Sequence, residues 1–105
     1  MAGLNCGTPS LLAWEILKNQ ADIFLSVDDH YALKAMKKYY DPGTGDERIE
    51  SGESGAAGLA GLLALLNHPG MKHARRSLGI HSKSKILLFN TEGITDPELF
   101  RKNTG

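Results

Sequence analysis

Apolar positions along the chain fall into helical stripes and short continuous runs. Between Leu11 and Lys18 only Glu15 and Lys18 are polar. Ser10 stands where an N-cap belongs, so this stretch predicts a short helix buried on most sides. Asp22 to Val27 holds Ile23, Phe24, Leu25 and Val27 in a run of strand length, the pattern of a central parallel strand. From 29 to 40, Ala32, Met36 and Tyr39 or Tyr40 form one stripe, while Lys34, Lys37 and Lys38 take the other face. Asp28 or Asp29 caps this second helix, and Asp41-Pro42-Gly43 ends it. The segment ESGESGAAG, residues 50 to 58, opens a third helix running to about Leu66, small residues at its start and leucines beyond. A basic turn or short helix follows at 71 to 78. Ile86 to Phe89 predicts a second buried strand, Asn90-Thr91-Glu92-Gly93 a sharp turn, and Asp96-Pro97 the N-cap and first position of a last helix.

Helix alternating with buried-type strand predicts an α/β fold with parallel pairing. Only two strands are convincing, with Arg48-Ile49 a weak third. The expected architecture is therefore a partial open parallel sheet with flanking helices, occupying residues 1–105 as one unit. A parallel sheet this small does not cover its own faces and edges, which makes the pattern a slice of a larger sheet.

Composition narrows the class. The chain has 105 residues, 41% of them hydrophobic and 23% charged, enough for one folded domain. Twelve basic and twelve acidic residues balance to zero, so a general nucleic-acid binder is not expected. No apolar stretch approaches the ~20 residues that span a bilayer, so no membrane partner is expected. The first residues lack the basic and apolar regions of a secretory signal, and the single Cys6 makes no internal disulfide; the expected compartment is the cytoplasm.

Two constellations carry candidate chemistry. In ESGESGAAG, Ser51, Ser54 and successive backbone N–H groups at a helix start suit an anion or a polar heterocycle. The same residues also suit a capping box, with Ser51 paired to Ser54 or Glu53. Asn90 and Thr91 follow the second strand at its carboxyl end, where open α/β sheets bind ligands, unless they form only a connecting turn. His30, His68, His73 and His81 have no metal-ligand spacing with Cys6, so no metal site is expected. Lys72 to Lys85 is basic but without aromatic residues for base stacking, and reads as a solvated face.

Taken together, MAGLNCGTP, WEIL, SVDD, GDERIESGESGAAGL and FNTEGITD resemble the carboxyl-terminal quarter of the diaminopropionate ammonia-lyases. These are pyridoxal-phosphate (PLP) enzymes of the tryptophan-synthase-β fold type, also called fold type II. The resemblance is densest at residues 3 to 7 and 48 to 59 and weakens from 67 to 84. It implies a cytoplasmic, homodimeric parent enzyme that converts 2,3-diaminopropionate to pyruvate and two ammonia molecules. It also implies that Glu53 and Ser54 lie beside the PLP ring, with Asn90 or Thr91 near the pyridine nitrogen. Relatives of the fold type often place a serine or threonine hydroxyl there, and Asn90 departs from that pattern. The family's Schiff-base lysine, acid/base aspartate and glycine-rich phosphate loop lie upstream of the matched region, and none of the eight lysines here fits the Schiff-base motif. The resemblance thus implies a carboxyl-terminal fragment, with no catalytic residue of its own and inactive alone. Its expected partners are a second copy or the amino-terminal part of the enzyme. The alternative is a non-catalytic dimerisation or partner-binding module derived from that fold.

Overall fold

The computed structural model describes residues 2–105; Met1, the first residue of the MAGLNCGTP stretch, lies outside them. Five α-helices form, each close to where local signals place it: α1 (Leu11–Gln20), α2 (Asp29–Tyr40), α3 (Ala57–Asn67), α4 (Lys72–Leu78) and α5 (Pro97–Thr104). Short 3-10 turns at Ala2–Leu4 and Pro69–Met71 complete the regular structure. The caps explain the boundaries. Ser10 Oγ accepts from the Ala13 N–H at 3.2 Å, and Asp96 Oδ1 accepts from the Leu99 N–H at 3.0 Å. Gly79 ends α4 in the left-handed conformation, φ 65°, its N–H directed to the carbonyls of Arg75 and Arg76.

The core lies where α2 crosses α3 and α5. Tyr31, Ala32, Ala35 and Met36 of α2 are buried against Ala60 and Ala64 of α3, Ala56 just ahead of it, and Phe100 of α5. The apolar stripe expected on α2 is therefore its buried face, with Lys34, Lys37 and Lys38 exposed. Alanines let the helix axes approach closely. At the rim, the Tyr40 ring meets Phe100 edge-on at 5.3 Å, and the Arg48 guanidinium sits 4.3 Å above the Tyr40 ring.

Three expectations need correction. First, no strand forms among the described residues, so the partial parallel sheet is not present. Among the described residues, 22–27 and 86–89 make no backbone hydrogen bonds to each other or to any other segment. A ladder needs a neighbour at about 4.8 Å, and nothing in this chain supplies one to either run. Second, α1 has no buried residue; Leu11 is 82% exposed, and the Trp14 ring, nearly half exposed, lies beside Phe24 with ring centroids 6.0 Å apart. An apolar helix stays uncovered when the elements it would pack on are elsewhere. Third, the basic stretch after α3 is not wholly solvated: Arg75 Nη1 donates to the carbonyls of Leu65 at 2.7 Å and His68 at 3.2 Å, serving the end of α3.

Openness has a measurable cost in surface. The chain exposes 7898 Å², whereas a folded monomer of its 11.4 kDa exposes about 5,800 Å² by the usual scaling with mass. Its radius of gyration is 14.6 Å, against about 13 Å for a compact chain of this length.

Candidate functional site

Three loops converge at the start of α3. The first is the turn around Gly3, the second the 51–56 loop, the third the 90–93 segment that leaves the uncovered 86–89 run. Ser51 is fully buried, and its Oγ lies within hydrogen-bond distance of Asn90 Oδ1 at 3.0 Å and the Gly52 carbonyl at 2.9 Å. One residue on, the Gly52 N–H donates to the Glu92 carbonyl at 3.2 Å. The second and third loops are thus joined by a side-chain bond and a backbone bond side by side.

The first loop is joined to the second by a reciprocal pair. The Gly3 N–H donates to Glu53 Oε1 at 2.7 Å, and Ser54 Oγ donates to the Gly3 carbonyl at 2.6 Å. Such a pair satisfies both backbone groups of Gly3 and holds the two side chains on one side of the loop.

Glycine is required at the crossings. A Cβ on Gly55 would overlap Asn90 Oδ1 and the Glu92 carbonyl, and one on Gly52 would come within 2.5 Å of the Gly93 carbonyl. A Cβ on Gly3 would come within 2.6 Å of Glu53 Oε1. The alternation of small and polar residues in 51–56 is what allows three backbones to meet.

Within this cluster Glu53 is unusual. Its residue is only 9% exposed, Oε1 is bonded to Gly3, and Oε2 is buried with no hydrogen-bond partner among the described residues. A buried carboxylate oxygen without a donor is costly, and such groups concentrate where a ligand supplies the donor.

The capping-box alternative does not describe this loop. Ala56 is the N-cap of α3 and makes no side-chain cap, while the side chains of Ser51, Glu53 and Ser54 point to Asn90 and Gly3 instead. Of the four residues singled out from sequence, Glu53 and Ser54 stand together beside Gly3, and Asn90 is joined to the same loop through Ser51. Thr91 is exposed and outside these bonds. No hydrogen-bonded turn forms at 90–93. Ser51, which the sequence offers both as an anion-binding residue and as a cap, instead ties its loop to Asn90. All eight lysines are exposed, and none enters the cluster. Among the described residues no group of His, Cys, Asp or Glu is arranged to hold a metal ion.

Comparison with known proteins gives one direction. No protein-family model matches the chain. It is 42% identical over 102 residues to the diaminopropionate ammonia-lyase of Escherichia coli, covering 97% of this chain and 26% of that protein. To the enzyme of Salmonella typhimurium it is 37% identical over 101 residues, 95% of this chain and 25% of that one. The solved structure of the E. coli enzyme in complex with an aminoacrylate-PLP azomethine reaction intermediate superposes with a TM-score of 0.86 at 41% identity, over 99% of this chain and 28% of that one. The helices and uncovered runs described above are thus the course that backbone takes in a PLP enzyme. Over nearly all of its length, in sequence and in backbone, the chain is similar to diaminopropionate ammonia-lyase, of which it spans about a quarter.

Proposed function

We propose that this chain is a fragment of a diaminopropionate ammonia-lyase and forms one wall of its PLP site. PLP, when bound, supplies the electron sink for eliminating ammonia from 2,3-diaminopropionate. The observation that carries the reading is Glu53, whose buried Oε2 has no partner among the described residues at the meeting point of three loops. That oxygen fits a hydrogen-bond donor on the cofactor or the substrate. Gly3 and Ser54 fix its carboxylate, while Ser51 holds the Asn90 loop at the same edge. On this reading Glu53 and Ser54 face the ring, and Asn90 rather than Thr91 serves the pyridine-nitrogen side. Asn90 is the one of the two that is tied to the cluster. The work of this wall is to bind and orient; no lysine in it can hold the cofactor covalently.

The parent enzyme would act in the cytoplasm; among the described residues no helix is long and apolar enough to cross a membrane. The direct test is a pyruvate assay. The purified chain with PLP and 2,3-diaminopropionate yields no pyruvate, and adding a polypeptide that carries the lysine and phosphate loop of the E. coli enzyme restores it. Sustained turnover by the chain alone would mean that one of its exposed lysines serves as the covalent anchor, and would overturn the reading.

The exposed face of α1 favours a second reading, a partner-binding module without chemistry. It predicts stable association with no pyruvate in either mixture.

A further inference from the structure

Asn90 carries an amide, which has an accepting end and a donating end in fixed opposition. A hydroxyl, by contrast, rotates and donates or accepts at one atom. Which end of the amide a ligand meets therefore depends on which end the protein holds. Here the protein holds the oxygen. Ser51 Oγ is 3.0 Å from Asn90 Oδ1; Ser51 is fully buried, whereas Asn90 is exposed.

The single hydroxyl proton of Ser51 has two acceptors within reach, Asn90 Oδ1 and the Gly52 carbonyl at 2.9 Å. It goes to the one that lacks another donor. The Gly52 carbonyl already accepts the Ala56 N–H at 3.0 Å, and the nearby Glu92 carbonyl accepts the Gly52 N–H at 3.2 Å. Among the described residues, Asn90 Oδ1 has no donor besides Ser51. Leaving that oxygen unpaired against a buried side chain would be costly. Gly55 makes room for it, since a Cβ there would overlap Asn90 Oδ1. With the oxygen engaged, the other end of the amide, Nδ2, offers two N–H donors and no acceptor.

We propose that Ser51 is a positioning residue, which by donating to Asn90 Oδ1 turns the amide so that it presents only N–H donors to the cofactor. The proposal rests on the functional reading above, in which Asn90 serves the pyridine-nitrogen side of PLP. A pyridine nitrogen that receives an N–H carries no proton of its own, because its one lone pair is already used. An amide turned the other way would present its oxygen and favour a protonated ring. Ser51 touches no reacting atom, yet the direction of its one proton selects between these two charge states, a means by which protein groups tune a cofactor's electronics. A carboxylate at position 90 would make the opposite selection whichever of its oxygens Ser51 held, since both are acceptors.

Two NMR readouts test this, the first without cofactor. In the full chain alone, the Asn90 NH₂ protons should show only weak cross-peaks to the Ser51 β protons. Strong ones would turn the NH₂ inward and overturn the proposal. The second uses the chain mixed with the remaining three quarters of the E. coli enzyme, produced as a separate polypeptide and loaded with PLP that carries ¹⁵N in its ring. The ring resonance should stand at the position of an unprotonated pyridine. Asn90→Asp, a change at an exposed side chain, should shift it to the protonated position. Ser51→Ala should place it between the two, because the released amide turns both ways. A purely structural Ser51 would instead lower PLP occupancy without moving the resonance, and that result overturns the proposal. Bound PLP with a protonated ring in the parent mixture also overturns it and leaves the functional reading standing. A mixture that retains no PLP overturns the functional reading, and the proposal falls with it. Whether the cofactor is bound tells the two failures apart.

Discussion

Ser51 Oγ and Asn90 Oδ1 are 3.0 Å apart although 39 residues separate them in the chain. This bond closes the cluster, because Ser51 begins the loop that leads into α3 and Asn90 follows directly on the uncovered 86–89 run. Ser51 is fully buried while Asn90 is exposed, so the contact is shielded from water on one side only. Ser51→Ala and Asn90→Ala should each destabilise the chain by about 1 kcal/mol, the usual net worth of a partly buried hydrogen bond. In a double-mutant cycle by urea denaturation, the two should couple by at least ~0.5 kcal/mol. Simple additivity would show that the bond does not form in solution.

Two glycines should respond with opposite signs. Gly55→Ala puts a methyl onto Asn90 Oδ1 and the Glu92 carbonyl, both fixed, and should cost about 2 kcal/mol or more by overpacking. Gly61→Ala sits inside α3, where the nearest atom to a new Cβ is Leu25 Cδ1 at 3.9 Å, and should stabilise by about 0.5–1 kcal/mol through helix propensity. Thermal unfolding followed by circular dichroism reads both; a shared sign would refute the loop geometry.

Glu53→Gln separates stability from binding. The substitution keeps an acceptor for the Gly3 N–H and replaces the second carboxyl oxygen, which has no partner among the described residues, with an amide NH₂. The variant chain should be at least as stable as the parent, by up to ~1 kcal/mol, since unpaired buried charge is costly. PLP retention in the complemented enzyme, measured by dialysis, should fall. A marked loss of stability would place Glu53 among purely structural residues.

Trp14 is the single tryptophan and stands on α1, nearly half exposed beside Phe24. Its emission in the chain alone should be that of a largely solvated indole and readily quenched by iodide. A blue-shifted, protected emission at low concentration would mean that α1 is covered within the monomer.

Asp96→Ala removes the cap of α5 and should cost about 1 kcal/mol, with Asp96→Asn recovering most of it. Because α5 contributes Phe100 to the core, the loss should appear in the global unfolding midpoint and not only as fraying.

Helices were legible in the sequence because their signals are local. Ser10 and Asp96 cap from within three residues, and the α2 stripe needs only its own spacing to reveal a buried face. Strands were not, although the runs at 22–27 and 86–89 have the right composition. A ladder depends on a distant neighbour, and neither run finds one here. The same limit explains α1, whose apolar residues predict burial against elements that this chain does not provide. At the site, Glu53 and Ser54 were found through resemblance, but their bonds to Gly3 join positions 50 and 51 residues apart. No spacing rule reaches that far.

Of the nine buried apolar residues among those described, Ala32, Ala35, Ala56, Ala60 and Ala64 are alanines. Those five positions have little to lose by truncation and little room to gain by filling. Larger side chains at these five positions would overpack the interior, whereas Tyr31, Met36 and Phe100 hold most of the volume that a truncation could remove.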